Sequence, residues 1–192
     1  LGATTGLILG LASGYFGGTF DLIFMRFVDL FMAFPPLIMV MAIVATFGNE
    51  IHFVIFAISF SIVPDSTRII RASALQVRRV PYVDAAISLG FGHVRIILRH
   101  MLPNVMASYL IIFTASVGGA ILAEAALSFL GLGVNEPTPA WGLMLQGGTE
   151  ESMTGVYWTA VFPGIAITLA VFGFFVWGDA LRDVLDPKLR RG

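Results

Sequence analysis

The chain alternates long apolar runs with short polar interruptions, and the runs have helical rather than strand length. Leu1 to Phe16 is apolar and uncharged, a little short of the roughly 20 residues that cross a bilayer. Gly6, Gly10, Gly14 and Gly18 recur every four residues, so the first three or four share one helix face. Such a small-residue face lets a second helix approach closely. Gly17 and Gly18 end this helix. Phe20 to Asn49 follows as one long segment. Its first part, FDLIFMRFVDLF, sets Asp21, Arg26 and Asp29 among large apolar residues, the pattern of an amphipathic helix at a membrane interface. Leu30 to Asn49 is uncharged and long enough to span, and Pro35 and Pro36 are expected to kink or break it.

A third run starts at Ile51. Only Ile51 to Pro64 is mostly apolar, so the helix is expected to continue to near Ile70, with Asp65 and Arg68 spaced to pair at the membrane edge. Asn104 to Ala123 is an uncharged fourth span with small residues Ala115, Ser116, Gly119 and Ala120, and Glu124 follows at its far end. Tyr157 to Trp177 is the fifth. Trp158 and Trp177 stand near its ends as interfacial anchors, and its length of about 31 Å matches the hydrocarbon core.

Charge then orients these spans. The segment from Arg68 to His100 carries Arg68, Arg71, Arg78, Arg79, Arg95 and Arg99 against one acid, Asp84, which places it in the cytoplasm. Residues 131–155 form a turn-rich loop charged only by Glu136, Glu150 and Glu151, which suits the outer side. The tail ends basic, with Lys188, Arg190 and Arg191, and so returns inside. Five spans put Leu1 outside. The first run is entered in mid-stretch, so a sixth helix before it is expected.

Composition agrees. Residues are 57% hydrophobic and 12% charged, half the charge of an ordinary soluble domain, with a mean hydropathy of +0.90. The chain therefore reads as one all-α integral membrane domain over residues 1–192. A net charge of −1 gives no general field for nucleic acid, and the absence of cysteine excludes disulfides and thiolate chemistry. The glycine-rich stretch Gly10 to Gly18 lacks the lysine of a phosphate-binding loop, so nucleotide binding is rejected. A membrane-embedded hydrolase would have to draw on His52, His93, His100, Asp65 and Glu124, but no close metal-ligand pattern occurs; no catalytic or metal-ligating residue is assigned. An ion-coupled carrier or channel is the alternative function. It needs ionisable groups deep in the spans, whereas Asp65, Glu124 and Asp179 lie near span ends, leaving Glu124 the best exception. Ser59, Ser61, Thr114, Ser116 and Glu124 are the candidate polar lining of a translocation path.

The longest helical-looking polar interruption is Asp84 to Asn104, DAAISLGFGHVRIILRHMLPN. Val83 to Leu89 reads as a short helix ended by Gly90 in a left-handed conformation. The run HVRIILRHML leads to Pro103, expected in the first turn of the next helix. Ala85, Ala86 and Leu89 offer a small apolar face beside the polar Asp84 and Ser88. Such a knob fits a groove on a partner, and equally a helix lying on the membrane.

This stretch resembles the coupling motif of ABC-importer permeases: a Glu-Ala-Ala triplet, a glycine four residues after the second alanine, then an apolar residue and Leu-Pro. Asp84, Ala85 and Ala86 fill the triplet, and Gly90, Ile97, Leu102 and Pro103 follow, with Asp84 in place of Glu as the one departure. GYFGGTFD (Gly14 to Asp21), MRFVDLFMAFP (Met25 to Pro35), AILAEAALSFLGLG (Ala120 to Gly133), PTPAWGLML (Pro137 to Leu145) and GDALRDVLDPKLR (Gly178 to Arg190) look like the second permease subunit of the dipeptide/oligopeptide/nickel importers. The resemblance implies a type I permease bundle of six helices, five of them here, in a bacterial or archaeal cell inner membrane. It implies a coupling loop over residues 68–103, with Asp84, Ala85, Ala86, Ser88, Leu89, Gly90, Leu102 and Pro103 meeting an ATPase. The implied partners are a second, different permease, two cytoplasmic ATPases that hold ATP and magnesium, an extracytoplasmic solute-binding protein and membrane lipid. No cofactor is implied on this chain itself.

Overall fold

Apolar runs free of strand-like alternation become helices throughout. The computed structural model describes residues 1–153 and 155–185. Among them lie α1 (Gly2–Phe16), α2 (Gly18–Met32), α3 (Pro36–Phe47), α4 (Ile51–Arg78), α5 (Pro81–Ser88), α6 (His93–Ile96), a π turn (Ile97–Met101), α7 (Leu102–Phe129), α8 (Trp141–Ser152) and α9 (Trp158–Leu185). Among the described residues three stretches are long and apolar enough to cross a membrane: Ile51–Arg78, His93–Phe129 and Trp158–Leu181. A fourth is the pair α2 and α3 taken as one broken span, bent by 83°. The helix α1, first of the expected spans, has 15 residues. Trp158 and Trp177 are both exposed on α9, as interfacial anchors require. The basic tail residues Lys188, Arg190 and Arg191 lie outside the described residues.

Several boundaries differ from expectation. Leu30 to Asn49 is not one helix, because α2 stops at Met32 and α3 starts at Pro36, where proline suits a first helical turn. The helix α4 runs to Arg78, well past Ile70, with Pro64 carried inside it. Residues 131–155 are not only turns, since α8 occupies twelve of them.

The chain forms two compact units. The first contains Leu1–Phe34, Ile62–Phe113 and the chain from Asp179. Here the glycine face of α1 lies against α4. A Cβ built on Gly6, Gly10 or Gly14 would fall 2.4, 2.8 or 2.6 Å from the Cβ of Ser66, Ile70 or Ala74. Backbone meets backbone, as the four-residue spacing predicts. Around this seam Leu7, Leu11 and Tyr15 of α1, Ile70 and Ala74 of α4, Val83 and Ala86 of α5, and Ile96, Met101 and Val105 form one buried cluster.

Polar pairs reinforce the same unit. Asp21 accepts two bonds from the Arg71 guanidinium, each 2.5 Å, and a third from the Ser13 hydroxyl. Asp21 is therefore a buried ion-pair partner rather than an interfacial charge. Arg68 pairs with Asp29, not with Asp65. The reason is shared: α1 and α2 are joined at Gly17, and the glycine seam brings the arginines of α4 within reach of the acids of α2.

The second unit contains Pro35–Ser61 and Thr114–Gly178. A Cβ on Gly142 would fall 2.5 Å from the Ala125 carbonyl oxygen, and one on Gly148 2.6 Å from the backbone at Thr159 and Ala160. These glycines clear space for helix packing instead of making turns. Asn49 donates to Asn135 at 2.8 Å, fastening the turn before α4 to the segment after α7.

Candidate functional site

The site is built from α5 outward. Val80 is extended and Pro81 opens the helix at its first position, where the missing N–H costs nothing. Asp84 lies in the first turn, the favourable end of the helix dipole for an acid. The helix ends in a Schellman motif. Phe91 N–H donates to the Ala86 carbonyl at 3.2 Å and Gly90 N–H to the Ile87 carbonyl at 2.9 Å, with Gly90 at φ 77°. That closure requires a residue without Cβ four places after Ala86, which accounts for the Ala-Ala to Gly spacing in physical terms.

The two faces of α5 then separate. Val83 is fully buried and Ala86 is 3% exposed, both in the core cluster with α1 and α4. Ala86 therefore does not belong to the offered face. The exposed side carries Asp84, Ala85, Ile87 and Ser88 and continues to Leu89, 72% exposed. Asp84 is held by Arg78 of α4 at 2.8 Å, and the Ser88 hydroxyl donates back to the Asp84 carbonyl at 3.0 Å.

After Gly90 the chain turns into a continuous helix from His93 to Phe129. Pro103 is the second residue of α7, in its first turn as expected, although the π turn joins α7 to α6 without a break. Proline removes one ladder donor and crowds the carbonyl four residues back. The π turn just upstream accommodates this, with Leu102 N–H donating to the Ile97 carbonyl, five residues back. Leu102 is half-buried against the core, while Pro103 is exposed.

Seven residues of this region had no place in the sequence motif. Tyr15, at the end of α1, bonds through its hydroxyl to His93 Nδ1 at 2.7 Å. Tyr82 of α5 donates to the His100 carbonyl at 3.0 Å, and Asn104 Nδ2 donates to that carbonyl at 2.8 Å and to the Tyr82 hydroxyl at 3.0 Å. Burial pushes the Tyr82 hydroxyl above its ordinary range, so it stays a donor at physiological pH. The His100 ring stacks on Phe91, and the Arg95 guanidinium lies over the Phe91 ring, 4.3 Å from its centroid. Individually these are common residue types at unremarkable spacings, and only the fold brings them together.

The residues considered for a translocation path all fall in the second unit. Ser61 and Thr114 are buried, Ser61 donating to the Ile58 carbonyl at 2.8 Å and Thr114 packing against Gly178. Ser59, Ser116 and Glu124 are half-buried, and Glu124 accepts from Ser128 at 2.6 Å. Among the described residues no group of three or more histidines and acids is placed to hold a metal.

A helical membrane protein, with a short helix locked inward by its core and bare on its other side, is the class these features define. Residues 6–191 match the family described as binding-protein-dependent transport system inner membrane component, and the chain belongs to that family. A protein of Brucella suis biovar 1 that carries the name of a peptide transport system permease is 43% identical over 190 residues, 99% of this chain and 64% of that protein. The glutathione transport system permease protein GsiD of Escherichia coli O157:H7 is 40% identical over 190 residues, 99% of this chain and 62% of its own length. The chain thus spans somewhat under two thirds of the length of these curated relatives.

Proposed function

We propose that this chain is a permease subunit of an ATP-driven importer, forming half of a path for peptides or a similar small solute. Its partners in this reading are a second permease, two cytoplasmic ATPases carrying ATP and magnesium, and an external solute-binding protein. The names of the relatives support the solute class, as peptide and glutathione are both peptide chemistry. The chain itself contributes no catalytic group. The observation that carries the reading is the two-sided α5: Val83 and Ala86 are sunk in the core with α1 and α4, while Ala85, Ile87 and Leu89 are exposed beside Asp84, which pairs with Arg78. A helix packed into the core on one side and exposed on the other is suited to receive a push and pass it to the spans.

The test uses the assembled transporter in proteoliposomes with Gly90→Val. A side chain at φ 77° strains the Schellman closure and moves Leu89 off its place. The expected result is loss of ATPase capture and of ATP-driven solute uptake, with the permease still inserted. Full uptake with unchanged ATPase binding would overturn the assignment of α5.

A further inference from the structure

If α5 receives the ATPase stroke, motion must still reach the membrane, and the covalent route from α5 to α7 runs through a glycine turn and the short α6. We propose that Tyr82 is a positioning residue that fastens α5 directly to the π turn at Ile97–Met101, and that this turn is where the long helix changes register as α5 moves. The proposal rests on reading α5 as the coupling helix.

The first ground is the turn itself. The Leu102 N–H reaches the Ile97 carbonyl, so the helix holds one residue more per turn here than it does elsewhere. Returning this turn to α geometry would rotate the helix on one side by about 100° and shift it by about 1.5 Å. Pro103 weakens the α alternative, because it supplies no N–H to the Arg99 carbonyl and crowds it. The turn is therefore a place where two registers lie close in energy, and wide turns of this kind recur at functional positions.

The second ground is how the turn is held. The carbonyl of His100, inside the turn, accepts from the Tyr82 hydroxyl and from Asn104 Nδ2, and Asn104 also donates to Tyr82. The three groups make a closed triangle joining α5, the turn and the start of α7. The other polar contacts of α5 go elsewhere: Asp84 to Arg78 of α4, and Ser88 to its own helix. The neighbour of Tyr82 is the fully buried Val83, so the phenol is anchored at its base and bonded at its tip. His100 Nε2 is buried with no hydrogen-bond partner among the described residues, so the ring is held by stacking on Phe91 and not by a polar bond. Side-chain bonds of this kind can be exchanged without unravelling the helix ladder.

The experiment compares wild type, Tyr82→Phe, Asn104→Ala and the double variant in the assembled transporter. Two quantities are read: solute carried per ATP hydrolysed, and amide hydrogen exchange over residues 97–104. Tyr82→Phe removes one oxygen. It is expected to leave ATPase binding and hydrolysis in place, to lower solute per ATP several-fold, and to speed exchange over 97–104 about fivefold, the size of one net hydrogen bond. Asn104→Ala should act alike, and the double variant should add little, because all three groups form one network. Unchanged exchange and unchanged solute per ATP in Tyr82→Phe, or fully additive effects in the double variant, would overturn the proposal while ATP-driven transport by wild type stands. Absence of ATP-driven transport in wild type would instead remove the functional reading beneath it. The exchange measurement needs no transport and judges the attachment by itself.

Discussion

Adding one carbon to the α1 face should loosen the first unit, and the structure sets the scale. A Cβ on Gly6 would sit 2.4 Å from Ser66 Cβ and 3.0 Å from Thr67 N; one on Gly10 would sit 2.8 Å from both Ile70 Cβ and the Thr67 carbonyl oxygen. These neighbours are backbone or first side-chain atoms, which cannot swing aside. Carbon atoms in comfortable contact lie about 3.5–4.0 Å apart, so α1 must retreat from α4 by about 1 Å. Overpacking of this kind costs about 1–3 kcal/mol, and the better helix propensity of alanine returns about 1 kcal/mol. Gly6→Ala should therefore destabilise by up to about 2 kcal/mol. Gly119→Ala is the control: its Cβ meets nothing within 4 Å, so propensity acts alone and the substitution should be neutral or stabilising. Equilibrium unfolding of the purified protein in detergent reads both. A sharper signature is the double variant Gly6→Ala with Gly10→Ala, which should cost less than the sum, because one retreat relieves both clashes. Equal signs for Gly6→Ala and Gly119→Ala, or strict additivity in the double variant, would refute the seam.

Asp21→Asn should cost about 3–5 kcal/mol in the same unfolding assay, since it strands the half-buried Arg71, whereas Asp29→Asn, whose pair is far more exposed, should cost no more than about 1 kcal/mol; similar costs would show that burial does not set the value. Ala86→Leu should destabilise the chain by lifting α5 from the core, while Ala85→Leu should leave unfolding unchanged and weaken ATPase capture; a stability loss at Ala85 would contradict its exposure.

The helical membrane class and the glycine seam were legible because both rest on local periodicity: a face repeating every four residues can only be one stripe of one helix. Helix end and Gly90 geometry were legible for the same reason, as a Schellman closure spans six consecutive residues. What failed needed knowledge of neighbours. Asp65 and Arg68 satisfy the spacing of an intrahelical pair, yet Asp29 competes from another helix, and nothing within residues 65–68 reveals it. Asp21 shares an amphipathic pattern with true interfacial acids, and only the approach of α4 buries it. Gly142 and Gly148 fall in the stretch 131–155 that reads as turn-rich, because glycine content does not distinguish a residue that bends the chain from one that makes room for it. Pro103 does stand in the first turn of α7, but the π turn that joins α7 to the helix before it was not legible in the sequence.

The two alanines of the motif show why fold and function divide so cleanly at α5. A helix of eight residues is far too short to hold itself together in water. Its order comes from Val83 and Ala86 entering a cluster built by α1 and α4, and a side chain larger than alanine at 86 would collide with that cluster. The small size of Ala86 is thus explained inside the chain. That of Ala85 is not: it is exposed, and this fold would accept a leucine or lysine there. On the proposed coupling reading, a small residue at 85 leaves room for a partner surface to come close. The same core that fixes the inner alanine also holds the glycine seam, so in the proposed coupling a load on the outer face would meet α1 and α4 already joined, with the π turn as the proposed compliant element between α5 and the long helix.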